Sequence, residues 1–99
     1  MYLHATLELS YAGVGPFLAM APKLKAIVEA DGWKLEQALL LQNGRLNTVI
    51  HIWRLRDMNH YQETLAKLPT HPQFTEIWQT LCEAVVKETV VFAEATPYA

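Results

Sequence analysis

A chain of 99 residues with a formal net charge of −2 has room for one domain, read as spanning residues 1–99, and its lysines and arginines are scattered rather than clustered. Phosphate binding needs clustered cations, so no nucleic-acid partner is expected. No apolar run approaches the ~20 residues that cross a bilayer, so no membrane partner is expected either.

Tyr2 to Ser10 alternates with period two: Leu3, Ala5, Leu7 and Leu9 on one side, Tyr2, His4, Thr6, Glu8 and Ser10 on the other. Gly13 and Gly15 break this strand, and Pro16 suits the first position of a helix. Phe17, Met20, Leu24, Ile27 and Val28 follow helical spacing up to Asp31-Gly32, where a glycine ends the helix. Pro22 predicts either an irregular first turn or a later start. Trp33 to Gln42 and Arg45 to Leu55 are strands joined by Asn43-Gly44, a pair that favours a two-residue type I′ turn. Asp57 can cap a helix through about Leu68. Pro69 and Pro72 interrupt it, and Pro72 starts a second piece through about Ala84. Val85 to Glu94 is a last strand rich in valine and threonine. The order βαββαβ predicts a ferredoxin-like α+β fold: a four-stranded antiparallel sheet with both helices on one face.

The chain is 52% hydrophobic and 18% charged, high and low for a soluble protein. A domain of this size buries only about two-thirds of its unfolded surface, so a homodimer partner is expected to cover some of the apolar remainder. The alternating N-terminus lacks the block structure of a signal peptide. The single cysteine, Cys82, precludes an internal disulfide, fits a reducing cytoplasm, and sits at helical spacing with Trp78, Leu81 and Val85 as a small core thiol.

A two-residue turn would pair Gln42 with Arg45, Leu40 with Asn47, Ala38 with Val49, Glu36 with His51 and Lys34 with Trp53, all pointing to one face. The other face would carry Trp33, Leu35, Gln37, Leu39 and Leu41 against Leu46, Thr48, Ile50, Ile52 and Arg54, apolar enough to lie under the helices with Leu3, Ala5, Leu7 and Leu9. The face away from the helices would then hold His4, Thr6, Glu8, Glu36, Asn47, His51 and Trp53, with Tyr2, Ala38, Leu40 and Val49 among them. With the first and third strands read as parallel neighbours, Glu8 also comes near His51. Such a mixture of aromatic, apolar and titratable groups suits the wall of a cavity between two facing sheets of a homodimer.

The run Gly44-Arg45-Leu46-Asn47-Thr48-Val49-Ile50-His51-Ile52-Trp53 resembles the G-x-[LF]-N-x-V-x-H-[LI]-W segment of NIPSNAP proteins. Asp57, the aromatic helix from Phe74 to Trp78 and, more loosely, Met1-Tyr2 with Phe17 agree with it. The resemblance implies a dimeric α+β barrel, a fold shared with antibiotic-biosynthesis monooxygenases, polyketide cyclases and EthD-like proteins. The chain departs from the family pattern at Ala5, Leu55, His60 and Thr64, where arginines or a tyrosine are usual. It also lacks the first-strand asparagine and helical histidine of haem-degrading relatives, which argues against haem oxygenation.

Among the candidates, His51 flanked by Glu36 or Glu8 reads as a general base with an orienting carboxylate, or as a structural polar network. Asn47 reads as an oxyanion donor or a structural hydrogen bond near the turn. Trp53 reads as an aromatic wall or an interface anchor, with His4, Thr6 and Tyr2 beside it as ligand contacts. His4 and Glu8, four residues apart on a strand and so ~13 Å apart, cannot share one ion; no metal, flavin or other cofactor is expected. The reading is a small-molecule-binding protein, cast as a cofactor-independent enzyme that cyclises or isomerises a hydrophobic or polyketide-like substrate by proton transfer. A non-catalytic ligand-binding or interaction module and a cofactor-independent monooxygenase are the alternatives.

Overall fold

The computed structural model describes all 99 residues. Strands β1 (Tyr2–Leu9), β2 (Lys34–Leu40), β3 (Thr48–Arg54) and β4 (Val85–Ala93) form one sheet in the order β2-β3-β1-β4, every pair antiparallel. Helices α1 (Val14–Ala30), α2 (Met58–Lys67) and α3 (Phe74–Ala84) complete the ferredoxin-like α+β fold. The expected broken second helix is α2 and α3, separated by a 3₁₀ turn over Leu68–Thr70 that contains Pro69. Asp57 caps α2 by accepting from the His60 N–H at 2.8 Å. α1 closes as its sequence predicts, with Gly32 at φ +98° just past its end. It runs through Pro22 rather than starting there, because Pro22 sits on the exposed flank where a missing hydrogen bond can be replaced by water.

The core forms where β1 meets the helices. Leu3, Ala5, Leu7 and Leu9 are buried while their neighbours in sequence are only partly so, and they join Phe17, Met20 and Val28 of α1 and Ile77 and Ala84 of α3. Gly13 lets α3 approach closely: a Cβ there would lie 2.6 Å from the Ala84 Cα.

Three details of the sheet differ from expectation. First, β1 and β3 are antiparallel neighbours. The crossover through α1 returns β2 parallel to β1, and the hairpin then reverses β3 before it slots between them. Glu8 consequently pairs with Thr48, and Ala5 lies opposite His51.

Second, Asn43-Gly44 does not make a two-residue turn. β2 ends at Leu40 and β3 starts at Thr48, with positive φ at Gly44 (69°) and Asn47 (61°). The longer loop docks on β1: the Leu9 N–H donates to the Asn47 carbonyl at 2.8 Å, and Arg45 Nε donates to Glu8 Oε1. Asn47 therefore occupies a backbone conformation that few side chains tolerate, and asparagine is one of them. Asn47→Gly is expected to keep stability within about 1 kcal/mol, whereas Asn47→Val should lose roughly 1–2 kcal/mol or more. Urea titration of both variants distinguishes this backbone role from a purely side-chain one.

Third, the hairpin slips by two residues and carries a bulge. Ala38 pairs with His51 and Leu40 with Val49, but Leu35 pairs with Trp53 and Gln37 with Ile52, leaving Glu36 as the extra residue. One inserted residue reverses the parity of everything before it. Trp33 and Leu35 thus share a face with Ala38, Leu40, Val49, His51 and Trp53. That face is the helix side, because β1 places Leu3 opposite Trp53, Ala5 opposite His51 and Leu7 opposite Val49.

Candidate functional site

The face expected to carry one constellation is thus divided between two. Tyr2, His4, Thr6 and Glu8 point away from the helices, along with Ile50, Ile52, Thr89 and Val91. Glu8 is engaged by Arg45, and Glu36 contacts Arg54 (Oε1–Nε 3.1 Å) without hydrogen-bond alignment. Neither carboxylate reaches His51. Asn47 stays at the hairpin loop, outside the cavity that His51 and Trp53 line. The two predicted residues that stay together are His51 and Trp53, 5.8 Å apart between ring centroids and edge-on at 88°. They lie inside the chain, between sheet and helices, rather than between two sheets.

There they meet a cavity of about 420 Å³. Leu3, Ala5 and Leu7 of β1 floor it, Phe17, Leu24 and Val28 of α1 wall one side, and Phe74, Ile77, Trp78 and Leu81 of α3 wall the other. Trp33, Tyr61 and Leu65 close one end. This is the size and lining of a small-molecule site: apolar walls with a few polar groups to orient a ligand. Phe74 and Trp78 stack at 6.0 Å, with Trp78 itself half exposed at the rim.

The polar groups are His51, Tyr61 and Glu88. His51 is 8% exposed, and its ring packs against Phe17 (6.0 Å) and Trp53. Burial alone lowers its pKa; no hydrogen bond from the protein supports the charged form. At neutral pH it is an uncharged imidazole with a lone pair available in an apolar cavity. Glu88 projects from β4 opposite Leu7, on the same face as Val90 and Phe92; it stands exposed at the cavity's edge, where partial desolvation nudges its carboxyl up and solvent screening keeps the effect small. The Tyr61 hydroxyl is pushed up as well, by burial first and by the Glu88 charge second. No three or more histidine, cysteine, aspartate or glutamate side chains converge to hold a metal ion.

Tyr61 is positioned from behind by a second polar cluster. His60 Nδ1 accepts the Arg56 N–H at 3.1 Å, leaving Nε2–H to donate to the Asp31 carbonyl at 2.6 Å. Asp31 also accepts from Thr64, which in turn accepts from the Trp33 indole at 2.9 Å. These bonds tie the start of α2 to the end of α1 and fix Tyr61, which stacks on Trp33 (5.9 Å) and meets Phe92 edge-on (5.0 Å). The Asp31 carboxyl is held below its usual range by Thr64 and then Lys67.

Glu88 and Tyr61 were absent from the candidates drawn from the sequence. Glu88 had a legible signal: it is a carboxylate at the same parity as Val86, Val90 and Phe92, where an apolar residue belongs. Tyr61 had none beyond its place in an amphipathic helix.

Residues 5–99 match the NIPSNAP family. The chain belongs to the NIPSNAP family. Among solved structures, this NIPSNAP chain is similar to an uncharacterised NIPSNAP domain protein from Burkholderia xenovorans (19% identity, 100% of this chain and 98% of that one, TM-score 0.82). It is also similar to an Agrobacterium tumefaciens protein (15% identity, 99% and 95% covered, TM-score 0.84). Further away is SnoaB, a cofactor-independent oxygenase from Streptomyces nogalater (14% identity, 97% and 94% covered, TM-score 0.72). At these identities the likeness is one of fold, shared across NIPSNAP and oxygenase sequences. No curated protein matches the chain closely enough to be called a relative. No helix of this NIPSNAP chain is long and apolar enough to cross a membrane.

Proposed function

We propose that this NIPSNAP chain is a cofactor-independent proton-transfer enzyme. Its substrate is a hydrophobic, ring-bearing small molecule held in the cavity between sheet and helices. The observation that carries this reading is His51: a buried imidazole without a hydrogen-bond partner from the protein, lining an apolar cavity, where burial favours the uncharged form that can accept a proton. Trp53 and Phe17 give flat walls for a ring, and the Glu88 carboxyl lines the same space from its exposed edge.

A cofactor-free oxygenase starts from the same step, since removing a proton creates the electron-rich carbon that reacts with O₂. The fold likeness to the Streptomyces oxygenase supports keeping that second outcome in view. The test uses 2-tetralone, an apolar fused-ring ketone with acidic α-protons. Wild-type protein in D₂O should accelerate α-proton exchange, followed by NMR, and an oxygen electrode reports whether O₂ is consumed. Saturable binding with no acceleration overturns the enzyme reading in favour of a non-catalytic binding module.

Two further elements belong to the proposal. The sheet face opposite the helices carries Ile50, Ile52 and Val91 among polar groups, and Val91 and Leu39 are each 47% exposed. That surface supports a homodimer built sheet to sheet, which light scattering tests: a monomer mass at micromolar concentration would refute it. The single thiol, Cys82, is exposed on α3 rather than in the core that its helical spacing suggested, because that spacing does not fix which side of the helix meets the sheet; with no disulfide partner in the chain it suits a reducing, cytoplasmic setting.

A further inference from the structure

A second, apolar groove of about 270 Å³ opens between α1 and the edge strand β2. Phe17, Leu24, His51 and Trp53 line it as well as the main cavity, so the candidate base stands where the two spaces adjoin. Ala21 of α1 and Ala38 of β2 line the groove, and Ala38 pairs with His51 across the hairpin, on the same face. Small side chains at both positions are what keep it open. Its one charged lining residue is Lys25, whose ammonium is held by Glu29 Oε1 at 2.8 Å.

We infer that the site is two-lobed, and that its substrate carries an uncharged aliphatic arm which lies in the α1–β2 groove while the ring occupies the main cavity. This rests on the reading of His51 as the reacting base. A ring alone would leave the groove empty, whereas an arm laid through the junction brings the carbon next to the ring against His51. With the Lys25 ammonium turned to Glu29 and the rest of the lining apolar apart from His51, a hydrocarbon or ester-like arm is the matching chemistry.

A homologous series of 4-alkylphenols, from methyl to octyl, measures the groove directly by calorimetry. In the wild type, affinity should rise with chain length, by up to about fourfold per methylene that becomes fully buried. Ala38→Trp, which places an indole in the groove, should leave 4-methylphenol binding within about twofold and flatten the rise to less than about 1.5-fold per methylene. Ala21→Phe fills the same space from the helix side and gives an independent reading should one variant fail to fold. A rise that persists unchanged in both folded variants overturns the two-lobed site. The slope reports the groove and 2-tetralone exchange reports the base, so either can fail alone; a series in which no member binds would overturn the two-lobed site and leave the base to the exchange measurement.

Discussion

His51→Gln is expected to slow 2-tetralone exchange by about 10²–10⁴-fold, the usual contribution of a positioned general base, while leaving binding within a few-fold. Glutamine keeps most of the volume of the imidazole and loses the basic lone pair. The wild-type rate should be flat at neutral pH and fall in acid with a midpoint below 6.5, the ordinary histidine value, because burial lowers the pKa of His51. The stability consequence has the same sign. The unfolded imidazole takes up its proton as pH drops through about 6.5, whereas the folded one resists until lower pH. In that window the unfolded state binds more protons, so the wild type loses stability as pH falls. Glu88 acts in the opposite direction. Its raised pKa contributes stability that is full below 4.5 and is lost as pH rises through the folded value. Comparing thermal midpoints of wild type and His51→Gln at pH 7 and pH 5 isolates the histidine: the wild type should lose more than the variant. Equal losses would mean that the imidazole is not desolvated as the geometry requires.

Phe17→Ala is expected to cost about 3–5 kcal/mol, the range for removing a buried aromatic ring. Phe17 is 1% exposed and holds α1 against β1 beside His51. For a domain of this size each kcal/mol moves the midpoint by about 4–8 °C, so the melting temperature should fall by at least ~12 °C. Leu18→Ala, one residue along and 46% exposed, should stay within about 1 kcal/mol. Circular dichroism melts of the pair test whether the helix side of the sheet is the core. A fall of less than ~5 °C for Phe17→Ala would contradict it.

Much of the fold is legible in local sequence signals. The alternation of Tyr2 to Ser10, the glycine stop after Asp31, the Asp57 cap and the prolines between α2 and α3 are local signals, set by backbone sterics and by the period of apolar residues. The site was less legible. His51 and Trp53 were identified as partners by their spacing of two on one strand, and that spacing holds in any register. Their companions depended on how strands pair, which no single strand records. Asn43-Gly44 suggested a tight turn, but docking of the loop on β1 through Asn47 and Arg45 outweighed that local preference.

The amino-acid sequence by itself determined the order of elements, the family and the pairing of His51 with Trp53, because each rests on short-range patterns of residues. Only the tertiary structure decided which way that pair faces. The bulge at Glu36 inserts one residue into a period-two strand, and so turns Trp33 and Leu35 to the same side as Ala38, Val49, His51 and Trp53. The way His51 itself faces is set by β1, which pairs Ala5 opposite it, so the imidazole lies away from Glu8 and Glu36 and in the cavity shared with Tyr61 and Glu88.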